Sequence, residues 1–171
     1  MLDKKVFKAG YGVSKMNAIA KTEKSDCVVR AFANAFEVSY NVAHEFTKKE
    51  FKRKNRQGTF NVNPIMKKLG EVIFPAEGQL DLFNPATESK FKVSHIGDRP
   101  KDGGTLQNDK YKHKAVAYTV KSFMQKFTRG CYFIIVHKHA LVIKDGVLID
   151  NGNYRFDGYR RPVASAFKIT K

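Results

Sequence analysis

From Ser25 onward the apolar residues Val28, Phe32, Ala35 and Phe36 recur on one stripe, the spacing of a helix that buries one face. Ser25 or Asp26 stands where a side chain can accept from the free N–H groups of that helix's first turn. A second stripe, Val42, Ala43, Phe46 and Glu50, begins after Ser39, a capping residue type, and breaks off in "KRKNRQG", which predicts a helix of about three turns. In "NVNPIMKKLG" an asparagine precedes Pro64 and a glycine closes the run, the asymmetry of a short helix with proline at its first position. Val116, Val120, Phe123 and Phe127 mark a further helix that ends at Gly130. The last third changes period: "CYFIIV", "HALVIK", "VLID" and "SAFKIT" are short β-branched and aromatic runs broken by turn residues, the pattern of antiparallel strands.

Two stretches lack a period. Residues 1–24 mix lysines with "AGYG" and read as an extended N-terminal arm or an early strand. Residues 75–113 hold Pro75, Pro85, Pro100 and "DGG" around short apolar runs such as "FKVSHI", which predicts an irregular insertion with a single strand. The expectation is one α+β domain over 1–171, with N-terminal helices packed on a C-terminal antiparallel β-sheet.

Composition sharpens this picture in two ways. With 42% hydrophobic residues among 171 the chain can bury a core. It has no run of the roughly 18 to 20 apolar residues that a membrane span needs, and its start lacks the apolar centre of a signal peptide. The expected location is therefore the cytoplasm, with no membrane partner. The charge is strongly basic, 32 Lys+Arg against 16 Asp+Glu, net +16. Such a field attracts nucleic acid or another polyanion, and "KKEFKRKNR" is its densest run, otherwise a solvated helix face. Two cysteines, Cys27 and Cys131, are too few for a disulfide framework.

The chemistry concentrates around one turn. Asp145-Gly146 between two apolar runs is a strong hairpin signal. A two-residue turn there pairs Lys144 with Val147, Val142 with Ile149 and Leu141 with Asp150, so His139 and Asp150 become diagonal neighbours on one face. A one-residue bulge would offer Asn151 instead. A carboxylate beside an imidazole fixes its tautomer and strengthens it as a base, which a nucleophilic cysteine requires. Cys27 supplies the nucleophile, because a thiol in the first turn of a helix lies at the positive end of its dipole. The same turn's free N–H groups can stabilise an oxyanion.

The helix-tip cysteine in "DCVVRAFANAF", the late "GCYFIIVHKHALVIKDGVLIDNG" and the order Cys, His, Asp resemble the papain-like cysteine peptidases. The likeness is to the compact bacterial and phage type related to NlpC-type and bacteriocin-processing peptidases. It covers residues 25–36 and 116–153. The resemblance implies a papain-like fold and a peptidase acting on a peptide or protein through a thioester, without metal or cofactor. If the chain is phage-encoded, it implies the host cytoplasm. Carried over, Cys27 is the nucleophile, His139 the base and Asp150 the orienting acid. The family's polar side chain before the cysteine, often glutamine, has no match: Lys21, Thr22, Lys24 and Ser25 stand there. A deamidase, a transglutaminase-like enzyme or another acyl transferase would use the same three residues.

Other readings stand beside these. His137 is an alternative base or, paired with His139, a weak metal signal. Ser25, Asp26 and Arg30 are candidates for oxyanion or substrate contact. Cys131 opens an apolar strand and is expected to pack. Asn34 is expected to be a core polar group with a backbone partner, and His44, His95 and His113 to lie on the surface or in loops. The rival class is a basic protein binding nucleic acid or a host protein on an inactive papain-like scaffold.

Overall fold

The computed structural model describes residues 18–74, 88–99, 118–150 and 160–171. Its elements run α1 (Ala18–Thr22), α2 (Cys27–Phe36), α3 (Tyr40–Phe51), α4 (Val62–Leu69), β1 (Glu71–Phe74), β2 (Ser89–Asp98), α5 (Val120–Lys126), β3 (Cys131–Val136), β4 (His139–Lys144), β5 (Val147–Ile149) and β6 (Val163–Thr170). The six strands form one sheet in the order β1-β2-β6-β3-β4-β5, and every neighbouring pair is antiparallel. The α+β class is as expected.

The apolar stripe of α2 is wider than one face, with Val28, Val29, Phe32, Ala33 and Phe36 all buried. A helix that is apolar nearly all round must be enclosed on several sides. Here α2 packs on Phe133, Ala140 and Val142 of the sheet and against α3, in a core that extends to Phe74 and Phe91 of β1 and β2. Strand alternation sends Tyr132, Ile134, Leu141 and Ile143 to the opposite face, where Val120, Phe123 and Met124 of α5 cover them. Helices therefore lie on both faces, which corrects the simpler order of helices first and sheet afterwards. Two strands, β1 and β2, also precede α5.

The helix boundaries follow local chemistry. Ser39 caps α3 by accepting from the Val42 N–H at 3.3 Å. Thr119 and Ser122 form a reciprocal capping box that starts α5 at Val120, so the helix is shorter than its apolar spacing predicted; Val116 lies outside the described residues. In α4 the cap is Asn61 and Pro64 is the third helical residue rather than the first. Asp145 and Gly146 both take positive φ, 50° and 74°, the two-residue turn whose twist suits a hairpin. The register it sets is Lys144 with Val147 and Val142 with Ile149, as the alternation required.

One region differs from the expectation: residues 18–22 of the supposed arm are helix α1. The single strand expected in the 75–113 stretch around "FKVSHI" is β2, which runs longer, over 89–98, and pairs with both β1 and β6. Residues 1–17, 75–87 and 100–113 lie outside the described residues.

The segment ahead of α2 is held by buried charge. Glu23 accepts from His44 Nε2 at 2.8 Å and Arg53 Nη2 at 2.7 Å, with side-chain exposures of 3% or less for all three. It also accepts from the Arg56 backbone N–H at 2.8 Å. His44 is thus a core residue of α3, not a surface one. Burial alone would raise the Glu23 carboxyl, but Arg53, His44 and the Arg56 amide lower it to about 2 from an ordinary 4.5. A carboxyl depressed on folding stabilises above its unfolded pKa and loses that contribution as pH falls toward the folded value. Glu23→Gln leaves Arg53 buried without its counter-charge, so urea unfolding at pH 7 should show a loss of about 3 kcal/mol. The gap to wild type should narrow as the pH is lowered from 4.5 toward 2.

Candidate active site

Cys27 is the first residue of α2. The chain enters that helix through Ser25, at a left-handed φ of 53°, and Asp26, at φ −98° and ψ 20°. Neither angle pair is the extended conformation of a capping residue, and the Asp26 side chain makes no capping bond. Asp26 therefore does not occupy the first-turn N–H groups.

His139 is the first residue of β4, paired with Val136 across a two-residue turn. Asp150 directly follows β5. Its Oδ1 lies 2.7 Å from His139 Nε2, and the carboxylate is fully enclosed while the imidazole is 13% exposed. The Asp145-Gly146 register produces this contact, since it sets Asp150 beside Leu141, two residues along from His139.

By alternation His139 belongs with Val136 and Leu141, on the face covered by α5. Cys27 packs with α2 on the other face. The two side chains nevertheless line one cleft and each shifts the other's ionisation, because each is the terminal residue of its element and they meet at the end of the sheet, where the faces no longer separate them. With Nε2 on Asp150, Nδ1 is the ring nitrogen left for the sulfur.

The two ionisations reinforce each other. Burial would raise the Cys27 thiol, but the hydrogen bond and charge of His139, with the backbone N–H groups of Ala140 and Val28, bring it below its ordinary value. Burial would lower His139, but Asp150 and Cys27 raise it to about 9. A thiolate facing an imidazolium is the favoured pair. Cys131 is the opposite case: burial and the nearby Asp145 push its thiol up to about 12, and its sulfur donates to the Ala35 carbonyl at 3.5 Å. It packs, as expected.

Cys27 and His139 open on a cleft of about 680 Å³. One wall is the tip of α2, Ser25 to Val28; a second is the β3–β4 hairpin around Val136, Lys138 and Ala140; the third is every residue from Gly58 to Pro64. Nothing in the sequence pattern of that third wall marked it as part of a site. It is anchored from behind by Asp98, whose carboxylate accepts from Asn63 at 3.2 Å and Ser165 at 2.6 Å and also bonds Lys67 and His95. Burial would raise the Asp98 carboxyl, but Lys67, Ser165, His95 and Asn63 together hold it at about 2. His95 is therefore a member of this anchor rather than a loop residue; His113 lies outside the described residues.

The remaining candidates divide. Ser25 and Asp26 line the cleft, but the Asp26 carboxylate is turned to Tyr40 and Arg30. Arg30 does not line the cleft; it pairs with Asp26 at 2.9 Å instead of waiting for substrate. His137 is exposed in the turn before β4 and does not line the cleft. Asn151 lies outside the described residues. Asn34 donates to the Arg30 carbonyl at 2.9 Å, the backbone partner expected of it. Among the described residues no group of three or more His, Cys, Asp and Glu could hold a metal ion, and no helix is long and apolar enough to cross a membrane.

No family model, curated protein or solved structure matches the chain.

The contrast between the thiols gives a direct test. With limiting iodoacetamide at pH 6, peptide mapping should find Cys27 carboxamidomethylated far faster than Cys131, by at least about 100-fold. Cys27 in His139→Ala should lose most of that advantage. Equal slow labelling of both cysteines would contradict the ion pair.

Proposed function

We propose that the protein is a cysteine-dependent amide hydrolase, a peptidase of papain-like type, with Cys27 as nucleophile, His139 as acid and base, and Asp150 as the group that orients His139. One observation carries this reading: Cys27 at the tip of α2 shares one cleft with an imidazole held by an enclosed carboxylate at 2.7 Å, and the two reactive groups favour each other's charged forms. The reading is supported by geometry and electrostatics of these side chains and by the resemblance in sequence order.

In the proposed reaction the Cys27 thiolate attacks the carbonyl carbon of a peptide bond, and the C=O electron pair moves to oxygen. First-turn N–H groups of α2 stabilise that oxyanion. The imidazolium of His139 gives its proton to the leaving nitrogen as the C–N bond breaks, which leaves a thioester on Cys27 and a neutral imidazole. Neutral His139 then takes a proton from water, whose oxygen attacks the thioester. Collapse of the second oxyanion releases the acid and returns the proton to the ion pair. Asp150 holds the His139 ring through Nε2 and keeps it turned toward Cys27. Transfer to an amine in place of water would use the same residues, so the acceptor that enters the cleft separates a peptidase from a transferase.

Hydrolysis of fluorescently labelled casein tests the reading. Cys27→Ala and His139→Ala should each lower the rate by at least about 10³-fold. Because the imidazolium is the proton donor, wild-type activity should fall as pH rises through about 9, where His139 deprotonates. Asp150→Asn should shift that limb to lower pH, since removing the carboxylate removes the main cause that raises His139. Wild-type protein with no hydrolytic or transferase activity, and with no selective alkylation of Cys27, would refute the assignment.

A further inference from the structure

We propose that Tyr40, acting with Arg30, is a positioning residue for this reaction: it holds the Asp26 carboxylate off the tip of α2 and so keeps the helix's first-turn N–H groups free for the oxyanion. The inference rests on the hydrolase reading above. Aspartate is among the residue types that most readily cap a helix, by accepting from the second or third N–H of the first turn. For α2 those groups belong to Val28 and Val29. A carboxylate in that place would occupy the donors and set a negative charge beside the nucleophile.

Asp26 occupies the cap position and does not cap. Its Oδ2 instead accepts from the Tyr40 hydroxyl at 2.8 Å and from Arg30 Nε at 2.9 Å. Tyr40 is wholly buried at the start of α3, and Asp26 is 8% exposed. The Arg30 guanidinium lies over the Tyr40 ring, 5.5 Å from its centroid, so the three side chains form one packed unit. Burial and the neighbouring Asp26 push the Tyr40 hydroxyl above its ordinary pKa, which keeps its proton on as a donor. In the resting site the Val28 N–H is one of the groups that favour the Cys27 thiolate. Arg30 also compensates the charge of Asp26 one residue from the sulfur.

Two reagents separate this role from ordinary scaffolding. p-Nitrophenyl acetate acylates a thiolate through a tetrahedral oxyanion: sulfur bonds to the carbonyl carbon, then the C–O bond breaks and p-nitrophenolate leaves. Iodoacetamide alkylates the same thiolate by displacing iodide, with no oxyanion. Measured at one pH, with Cys131→Ala as the common background, the ratio of the two rates cancels the thiolate fraction. Tyr40→Phe should lower that ratio by at least about tenfold, as loss of oxyanion donors does, with a thermal melt confirming the fold. Arg30→Met should act in the same direction and serves if Tyr40→Phe fails to fold. Adding Asp26→Ala to either variant should restore most of the ratio, because the competing carboxylate is gone. Rates that fall together, or a double variant no better than the single one, would overturn the lock alone. Failure of unmodified Cys27 to react with either reagent faster than Cys131 does in the wild-type chain would overturn the hydrolase reading and the lock with it.

Discussion

The structure depends first on the burial of Phe32. Its ring centroid lies 5.2 Å from those of Phe36, Phe46 and Phe133 and 5.3 Å from that of Phe51. It therefore touches its own helix, the middle and the C-terminal end of α3 and the central strand β3. In a chain without tryptophan this cluster of phenylalanines supplies the bulk that clamps α2 between sheet and α3. Clamping fixes the helix axis, and the ends fix its position along that axis. Glu37, just past the last turn, pairs with Lys144 at the end of β4, while Cys27 meets His139 at the start of β4. The ten helical rises from Cys27 to Glu37 cover about 15 Å, close to the roughly 17 Å of the five extended rises from His139 to Lys144, so helix and strand run side by side with both ends matched.

α3 sets the remaining variable, the way the chain turns into α2. Its side chains hold both carboxylates of the entering segment: His44 takes Glu23, with Arg53 just past the helix, and Tyr40 takes Asp26. A basic chain thus places several of its scarce acids inside. Glu23, Asp26, Asp98 and Asp150 each receive two or more donors or a charged partner in buried or half-buried positions.

Much of this was legible because it depended on local pattern. The stripe of α2, the Ser39 cap and the Asp145-Gly146 turn are short-range signals, and the turn alone placed His139 beside Asp150. Strand β1 was not legible, since "EVIF" is short and abuts Pro75, and β2 was legible only as a lone strand, because its lysines at alternate positions suggest a loop as readily as a solvated sheet face. The internal ion clusters were invisible for a different reason. Glu23 and Arg53 are 30 positions apart, and Asp98 and Ser165 are 67, so only tertiary packing brings them together. Charged residues also start from a presumption of exposure. The 58–64 wall of the cleft has the composition of a turn and reveals itself only when the fold sets it opposite the β3–β4 hairpin.

The two cysteines show what makes the candidate nucleophile unusual. Both are half-buried, both pack against the same core, and both lie along the interface between α2 and the sheet. Burial therefore does not distinguish them. Their positions relative to the helix do: Cys27 begins α2, where unpaired N–H groups and the positive end of the dipole favour a thiolate, whereas Cys131 donates to the carbonyl of Ala35 in the last turn, where only a protonated thiol is welcome. The same helix thus lowers one thiol and accommodates the other as an apolar donor. Against the effect of burial, His139 lowers the Cys27 thiol most and the amide of Val28 in α2 adds to it, and the held position of Asp26 keeps that added bias from being cancelled by the residue next to it.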